Sequence, residues 1–285
     1  MTALALALVL GSAVLHAAWN LAAKRAGGGA TFVWLFSALA TILWLPLAAW
    51  SVWHGHPHVD PRGWLALLLS ILFHAGYYVF LQKGYQHGDL SLVYPLARGS
   101  GPLLAVAGSM VLFGERPGPL TLAGAALIAI SAFGLSGGGW RAFAGGDLAV
   151  TFGLATGLTI AAYTLNDAWA VRDLGMPPPL LLWGNDLGQT LLLAPVAVRH
   201  RMEAARLWRE RWREILAVAV LSPLAYMMVL VALRLAPVSS VAPAREISIL
   251  IAAALGARLL AEGQSRRRLL AAAGMVLGVI AIAAG

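Results

Sequence analysis

Of the 285 residues, 60% are hydrophobic and 11% are charged, whereas a soluble domain carries roughly 25% charged residues. A chain this apolar cannot cover its own surface in water, which excludes an ordinary soluble protein and makes lipid part of its solvent. The formal charge of +8 does not argue for nucleic acid, because Lys and Arg mostly fill short gaps between apolar runs, as in loops at a headgroup surface rather than on a folded basic face. The chain has no cysteine, so disulfides, thiolate metal sites and Cys nucleophiles are excluded.

Ten apolar spans are predicted, at 3–23, 31–53, 63–83, 91–113, 119–137, 146–166, 179–198, 214–234, 239–261 and 268–284. Each approaches the roughly 20 residues that cross a bilayer as a helix. Breakers fall between them, among them Gly27-Gly28-Gly29, Pro117-Gly118-Pro119 and Pro177-Pro178-Pro179. The first run lacks a basic leader and is long enough to span, so it is read as a helix and not a signal peptide. The expectation is an all-α membrane protein, because helices satisfy their own backbone polar groups in lipid.

Polar residues inside such helices are costly, and each is a candidate for function. Span one carries Ser12, His16, Asn20 and Lys24 four apart, hence on one face, with Trp19 beside them. Trp44, Trp50, Trp53, Trp64 and Trp140 lie near span ends and are read as an interfacial belt. His54, His56 and His58 could bind metal by composition, but they sit in a Pro-containing loop and are read as surface, so no metal site is expected. Span three carries His74, Tyr78 and Gln82, with Tyr77 adjacent. Span four carries Tyr94 and Arg98. Span six offers Thr156, Thr159, Tyr163 and Asn166; span seven offers Trp183 and Asp186; span eight offers Ser222 and Tyr226; span nine offers Arg245 and Glu246. For Ser12, Thr156, Thr159 and Ser222, interhelical hydrogen bonding is the plainer reading. The pairs Gly153/Gly157, Gly184/Gly188 and Gly274/Gly278 have the spacing of close helix contacts.

The chain repeats itself. SLVYPLARGSGPLLAVAGSMVLFGE from Ser91 parallels SSVAPAREISILIAAALGARLLAE from Ser239. In each copy a Glu follows the Arg by 17 positions, Arg98 to Glu115 and Arg245 to Glu262. These span-end glutamates are read as structural. The copies lie about 147 positions apart, which predicts repeats at 1–138 and 146–285. Five helices per copy is an odd number, so the copies have opposite orientations. Inverted repeats place a substrate site between the halves near the bilayer midplane.

Two five-helix repeats, the Pro-Ala-Arg openings of spans four and nine, and the Phe-Gly-Glu115 ending resemble the drug/metabolite transporter superfamily, EamA type. The likeness covers essentially the whole chain. LHAAWNLAAKR from Leu15 is similar to a subgroup in which some members are labelled as associated with phosphonate utilisation. The superfamily resemblance implies a ten-helix basket with a cavity lined by helices 1, 3, 4, 6, 8 and 9. It also implies export or exchange of metabolites, often amino acids, without ATP.

The expected function is secondary transport of a small anionic or zwitterionic metabolite across a bacterial inner membrane by alternating access. An intramembrane enzyme or a lipid-type flippase on the same bundle is the alternative. Expected substrate contacts are His16, Trp19, Asn20, His74, Tyr78, Tyr94, Arg98, Tyr163, Trp183, Tyr226 and Arg245. Arg98 and Arg245 could hold a carboxylate or phosphate bidentately; structural pairing with Glu246 or Asp186, or snorkelling to the interface, is the other reading. If protons drive transport, Asp186 and Glu246 are the carboxyl candidates, beside His16 and His74. No cofactor and no nucleic acid are expected, and a monomer or weak dimer in the bilayer suffices. Thirteen Lys and Arg follow odd-numbered spans and four follow even-numbered ones. That bias puts both termini outside, whereas the family resemblance suggests inside, and the sequence leaves the orientation open.

Overall fold

The protein is described by a computed structural model over residues 1–26, 29–87, 90–136, 148–251 and 266–285, with backbone alone at 24, 90–92, 94–95, 134–136 and 266–269. Helices follow the predicted spans at α1 (Ala3–Ala26), α2 (Ala30–Gly55), α3 (Pro61–His87), α4 (Leu90–Leu112), α5 (Pro119–Ser136), α6 (Leu148–Arg172) and α7 (Pro178–Arg199). By contrast, α8 (Arg201–Leu235) starts well before the predicted 214 and α9 (Val238–Ala244) stops early within predicted span nine, whereas the closing α10 (Arg266–Ala284) again follows its span. Five of the described helices are long and apolar enough to cross a membrane outright: Ala3–Ala23, α2, α3, α6 and α8. Shorter apolar stretches at Leu96–Leu112, Pro119–Phe133 and Leu270–Ala284 belong to α4, α5 and α10. The long hydrophobic side chains that remain exposed, such as Ile42, Leu72, Val111, Ile130 and Leu191, are what a lipid-facing exterior requires.

The two sets of five helices interlock. α1 packs along α8 while α6 packs along α3, so the first helix of each set leans on the third of the other. α2 with α7 and α5 with α10 pair like with like. Glycines permit these approaches. A Cβ at Gly184 would stand 2.7 Å from Leu67, and one at Gly188 would stand 2.6 Å from Ile71. Gly153 and Gly157 lie against α4, and Gly274 and Gly278 against α5, in the same way. All three predicted glycine pairs therefore mark close helix contacts.

Prolines inside helices leave carbonyls that need other donors. Pro223 in α8 has no N–H for the carbonyl of Ala219, and the Trp44 indole of α2 donates to that oxygen at 3.1 Å. Trp44 is thus a tie between helices, correcting its reading as interfacial belt. Trp50, Trp53 and Trp64 are exposed as expected, and Trp140 lies outside the described residues.

Glu115 ties three helix ends together. It follows α4, accepts hydrogen bonds from the Val238 and Ser239 backbone N–H groups at 2.8 and 2.9 Å, and pairs with Arg172 at the end of α6 at 2.9 Å. Pro237, the residue before α9, has no side chain to cap it, so Glu115 supplies the cap from a distant turn. This fits the structural reading of Glu115; Glu262 lies outside the described residues. Burial alone would raise the Glu115 carboxyl, but the bonds from Ser239, Val238 and Arg172 outweigh it and hold the group below the usual Glu range. A depressed carboxyl contributes stability that is complete above its ordinary value and lost as pH falls through the folded one. Glu115→Ala is expected to cost about 1–3 kcal/mol, seen as a lower melting temperature in detergent. The gap to the parent should stay constant from about pH 8 to pH 6 and close below about pH 4.5.

Candidate functional site

A cavity of about 110 Å³ lies among the helices. α1 contributes Ser12, His16 and Trp19; α3 contributes His74, Tyr77 and Tyr78; α4 contributes Arg98 and α6 Tyr163. Asn185, Asp186 and Gln189 come from α7, Ser222 and Tyr226 from α8, and Arg245 from the end of α9. The volume is below the roughly 300–1,000 Å³ of drug-sized sites, so the occupant is a small molecule or the walls move to admit it. A larger lateral groove of about 770 Å³ runs beside α3 and α6. Phe73, Leu112, Phe113, Leu165 and Trp169 make it mostly apolar, and its Arg172 is already held by Glu115.

Two repeat-related arginines meet different surroundings. Arg98 Nε pairs with Glu246 Oε2 at 3.0 Å, with both side chains buried, and Arg98 Nη2 donates to Ser248 at 3.3 Å. The pair joins α4 of the first half to the segment after α9 in the second. α9 breaks at Arg245 and Glu246, and helical backbone resumes at 247. The tighter bonds Glu246 N–H to Pro243 O, Ser248 N–H to Arg245 O and Ile249 N–H to Glu246 O carry the chain across. Arg245 has no carboxylate within ion-pair distance among the described residues. Its guanidinium stands over the Tyr226 ring at 5.7 Å, a cation–π arrangement.

Aromatic and polar side chains fix one another around this point. The His74 ring stacks on Tyr163 at 4.1 Å and meets Tyr226 edge-on at 5.5 Å. His74 Nδ1 lies 2.9 Å from the Ser70 carbonyl, and Asn185 donates to Ser70 Oγ at 2.7 Å. The Tyr226 hydroxyl donates to Asp167, whose other oxygen accepts from Asn166 at 3.0 Å. Three buried polar atoms on the cavity wall lack a partner among the described residues: Trp19 Nε1, Asn185 Oδ1 and Asp186 Oδ2. Buried polar groups are ordinarily satisfied, and these three border the same cavity.

The sequence profile of the EamA-like transporter family matches residues 3–137 and again 147–284. The chain belongs to the EamA-like transporter family. Its fold also matches a solved structure titled "Crystal structure of protein", with a TM-score of 0.77 and 18% identity over 99% of this chain and 96% of the other. At that identity the likeness speaks for the fold alone. No curated protein sequence matches the chain significantly. The protein is thus a membrane transporter of the drug/metabolite type, with two inverted five-helix repeats.

Within this EamA-like transporter, His16, Trp19, His74, Tyr78, Arg98, Tyr163, Tyr226 and Arg245 come together on the cavity wall, with Asp186. Asn20 stays on its own helix, donating to the His16 carbonyl at 2.8 Å. Trp183 donates to the Thr41 carbonyl at 3.0 Å and serves packing between α7 and α2. Glu246 sits behind the wall on Arg98. The Tyr94 side chain lies outside the described residues. Thr156 and Thr159 bond the carbonyls of Phe152 and Thr156 in their own helix, so these hydroxyls are satisfied within α6 and do not make the interhelical bonds expected of them.

α7 enlarges the lining set that the family resemblance implies, and α2 adds Phe36. Asn185, Gln189, Ser70, Asp167 and Ser248 were not singled out from sequence. Gln189 lies three positions from Asp186 and four from Asn185, and that helical spacing could have found Gln189. Asp167 and Ser248 could not be found this way, because their roles depend on contacts with distant helices. Removing one partner of a buried ion pair costs about 3–5 kcal/mol. Glu246→Gln should therefore lower the melting temperature sharply. Arg98→Met with Glu246→Leu should recover most of the loss, as read by thermal unfolding in detergent.

Proposed function

We propose that this transporter moves a small zwitterionic metabolite of the amino-acid class by alternating access across a bacterial inner membrane. One observation carries the reading: Arg245, with no carboxylate partner among the described residues, lines the same cavity as Asp186, whose Oδ2 has no donor. A substrate carboxylate completes Arg245 through charge-assisted hydrogen bonds, and a substrate ammonium completes Asp186. Trp19 Nε1 and Asn185 Oδ1 add a donor and an acceptor. Tyr77, Tyr78 and Tyr163 supply faces for the remaining apolar or cationic part.

Arg98 is assigned a different task from Arg245. Its pairing with Glu246 supports a structural role at the joint between the halves and removes Glu246 as the first choice for coupling. Asp186 is the better coupling carboxyl, because it can hold either a proton or a substrate ammonium but not both. Mutual exclusion of that kind exchanges one for the other across the membrane. The reading needs no cofactor and no chemical conversion.

A thermal-shift screen of amino acids, phosphonates, sugars and amines, followed by flux in liposomes with the hit, tests this. Compounds carrying both an anionic and a cationic group should stabilise the protein most. Each charge-assisted hydrogen bond is worth about 1.5–3 kcal/mol, so Arg245→Gln should weaken binding about ten- to a hundredfold. Asp186→Asn should weaken it similarly and abolish the response of flux to a pH gradient. Stabilisation by neutral sugars alone, or unchanged affinity in Arg245→Lys, would remove the site as drawn. Conversion of the hit in place of its movement would return the intramembrane-enzyme alternative.

A further inference from the structure

We propose that the arginine-rich start of α8 is a binding surface for anionic phospholipid headgroups. α8 has 35 residues, well beyond the roughly 20 that cross a bilayer. Its backbone leaves helical geometry at Arg211 (φ −130°, ψ 22°), dividing a leading segment, 201–210, from the spanning segment, 212–235.

The leading segment has two faces. Leu207 is buried and packs with Ala204 against the end of α1 and the start of α2, in the cluster of Ala26, Phe32, Leu35 and Phe36. Glu203 turns the same way and accepts a hydrogen bond from Thr31 at 3.1 Å. The other face exposes Arg201, Arg206 and Arg209, and Arg213 continues it past the break. Met202 is 78% exposed, Trp208 47% and Trp212 48%. Of the acidic neighbours, Glu203 is turned inward and Glu214 faces Arg211 at 3.7 Å. Glu210 alone remains on the open side against four arginines that have no carboxylate partner among the described residues.

That combination identifies the occupant. Tryptophans beside arginines settle at the boundary between headgroups and acyl chains. A planar guanidinium holds phosphate oxygens in pairs. A zwitterionic headgroup cancels its own phosphate with an attached ammonium, whereas an anionic lipid keeps its charge, so the cluster selects the anionic kind. The segment rests on α1 and α2, which carry His16, Trp19 and Phe36 of the cavity wall. Lipid held there steadies that wall. The inference stands on the membrane fold and not on the identity of the transported molecule.

The test uses the full-length protein in neutral detergent with an equimolar mixture of phosphatidylglycerol and phosphatidylcholine. Retained lipids are counted by native mass spectrometry and melting temperature is followed in parallel. Phosphatidylglycerol should be retained several-fold over phosphatidylcholine and should raise the melting temperature. Both effects should fade towards about 1 M salt, where screening extends to about 3 Å. Arg206→Gln, Arg209→Gln and Arg213→Gln together should reduce phosphatidylglycerol to the phosphatidylcholine level. Arg62→Gln with Arg234→Gln, at the opposite ends of the helices, should leave the preference intact. Equal retention of the two lipids, a preference indifferent to salt, or a triple variant that keeps the preference would each overturn the proposal. The comparison of lipids and salt on the parent protein decides the matter even if the triple variant does not fold.

Discussion

Lipid offers no hydrogen bonds and no counter-ions, so every charge inside the bundle must find its partner within the protein or wait for a ligand. The Arg98–Glu246 pair is where this constraint bears hardest. It places two opposite charges together in the interior and spans the joint between the repeats. The repeat supplies a second arginine at the equivalent position but not a second glutamate: Gly99 follows Arg98 where Glu246 follows Arg245. Glu246 is taken by Arg98, and Arg245 faces the cavity that Asp186 also lines.

The remaining architecture serves the same constraint with neutral groups. Trp44 and Trp183 donate to carbonyls of neighbouring helices, the first one freed by Pro223. Glu115 satisfies the start of α9 from another turn. His74, Ser70 and Asn185 share donors and acceptors across α3 and α7, and Asp167 holds Tyr226 beneath Arg245. Among the described residues, Trp19, Asn185 and Asp186 keep orphaned atoms on the cavity wall, and Trp34 keeps one away from it.

Much of this was legible in the sequence, and the parts that were not have a common cause. Apolar runs and breakers gave the helices, because burial in lipid is written into composition. The half-chain repeat gave the inverted pairing, and glycine spacing gave the close contacts. His16, His74, Tyr78, Tyr163 and Tyr226 were legible because four-residue spacing reports which side chains share a face. Spacing does not report which helix that face meets. Asn20 shares the face of His16 yet turns back to its own backbone, and Trp183 meets Thr41 and not the cavity. Asp167 became visible only when α8 brought Tyr226 to it. The partner of Arg98 was open between Glu246 and Asp186, since either could reach it until the break in α9 set the direction of Glu246.

In the proposed function a zwitterion binds between the halves, with its carboxylate on Arg245. The chain lacks cysteine, so a single Ser222→Cys on the cavity wall gives an uncluttered probe. The rate of its reaction with a small water-soluble maleimide should fall when a zwitterionic metabolite is added, and that protection should vanish in the Arg245→Gln background. A rate that no charged metabolite alters, or protection that survives the loss of Arg245, would rule out a substrate carboxylate on Arg245.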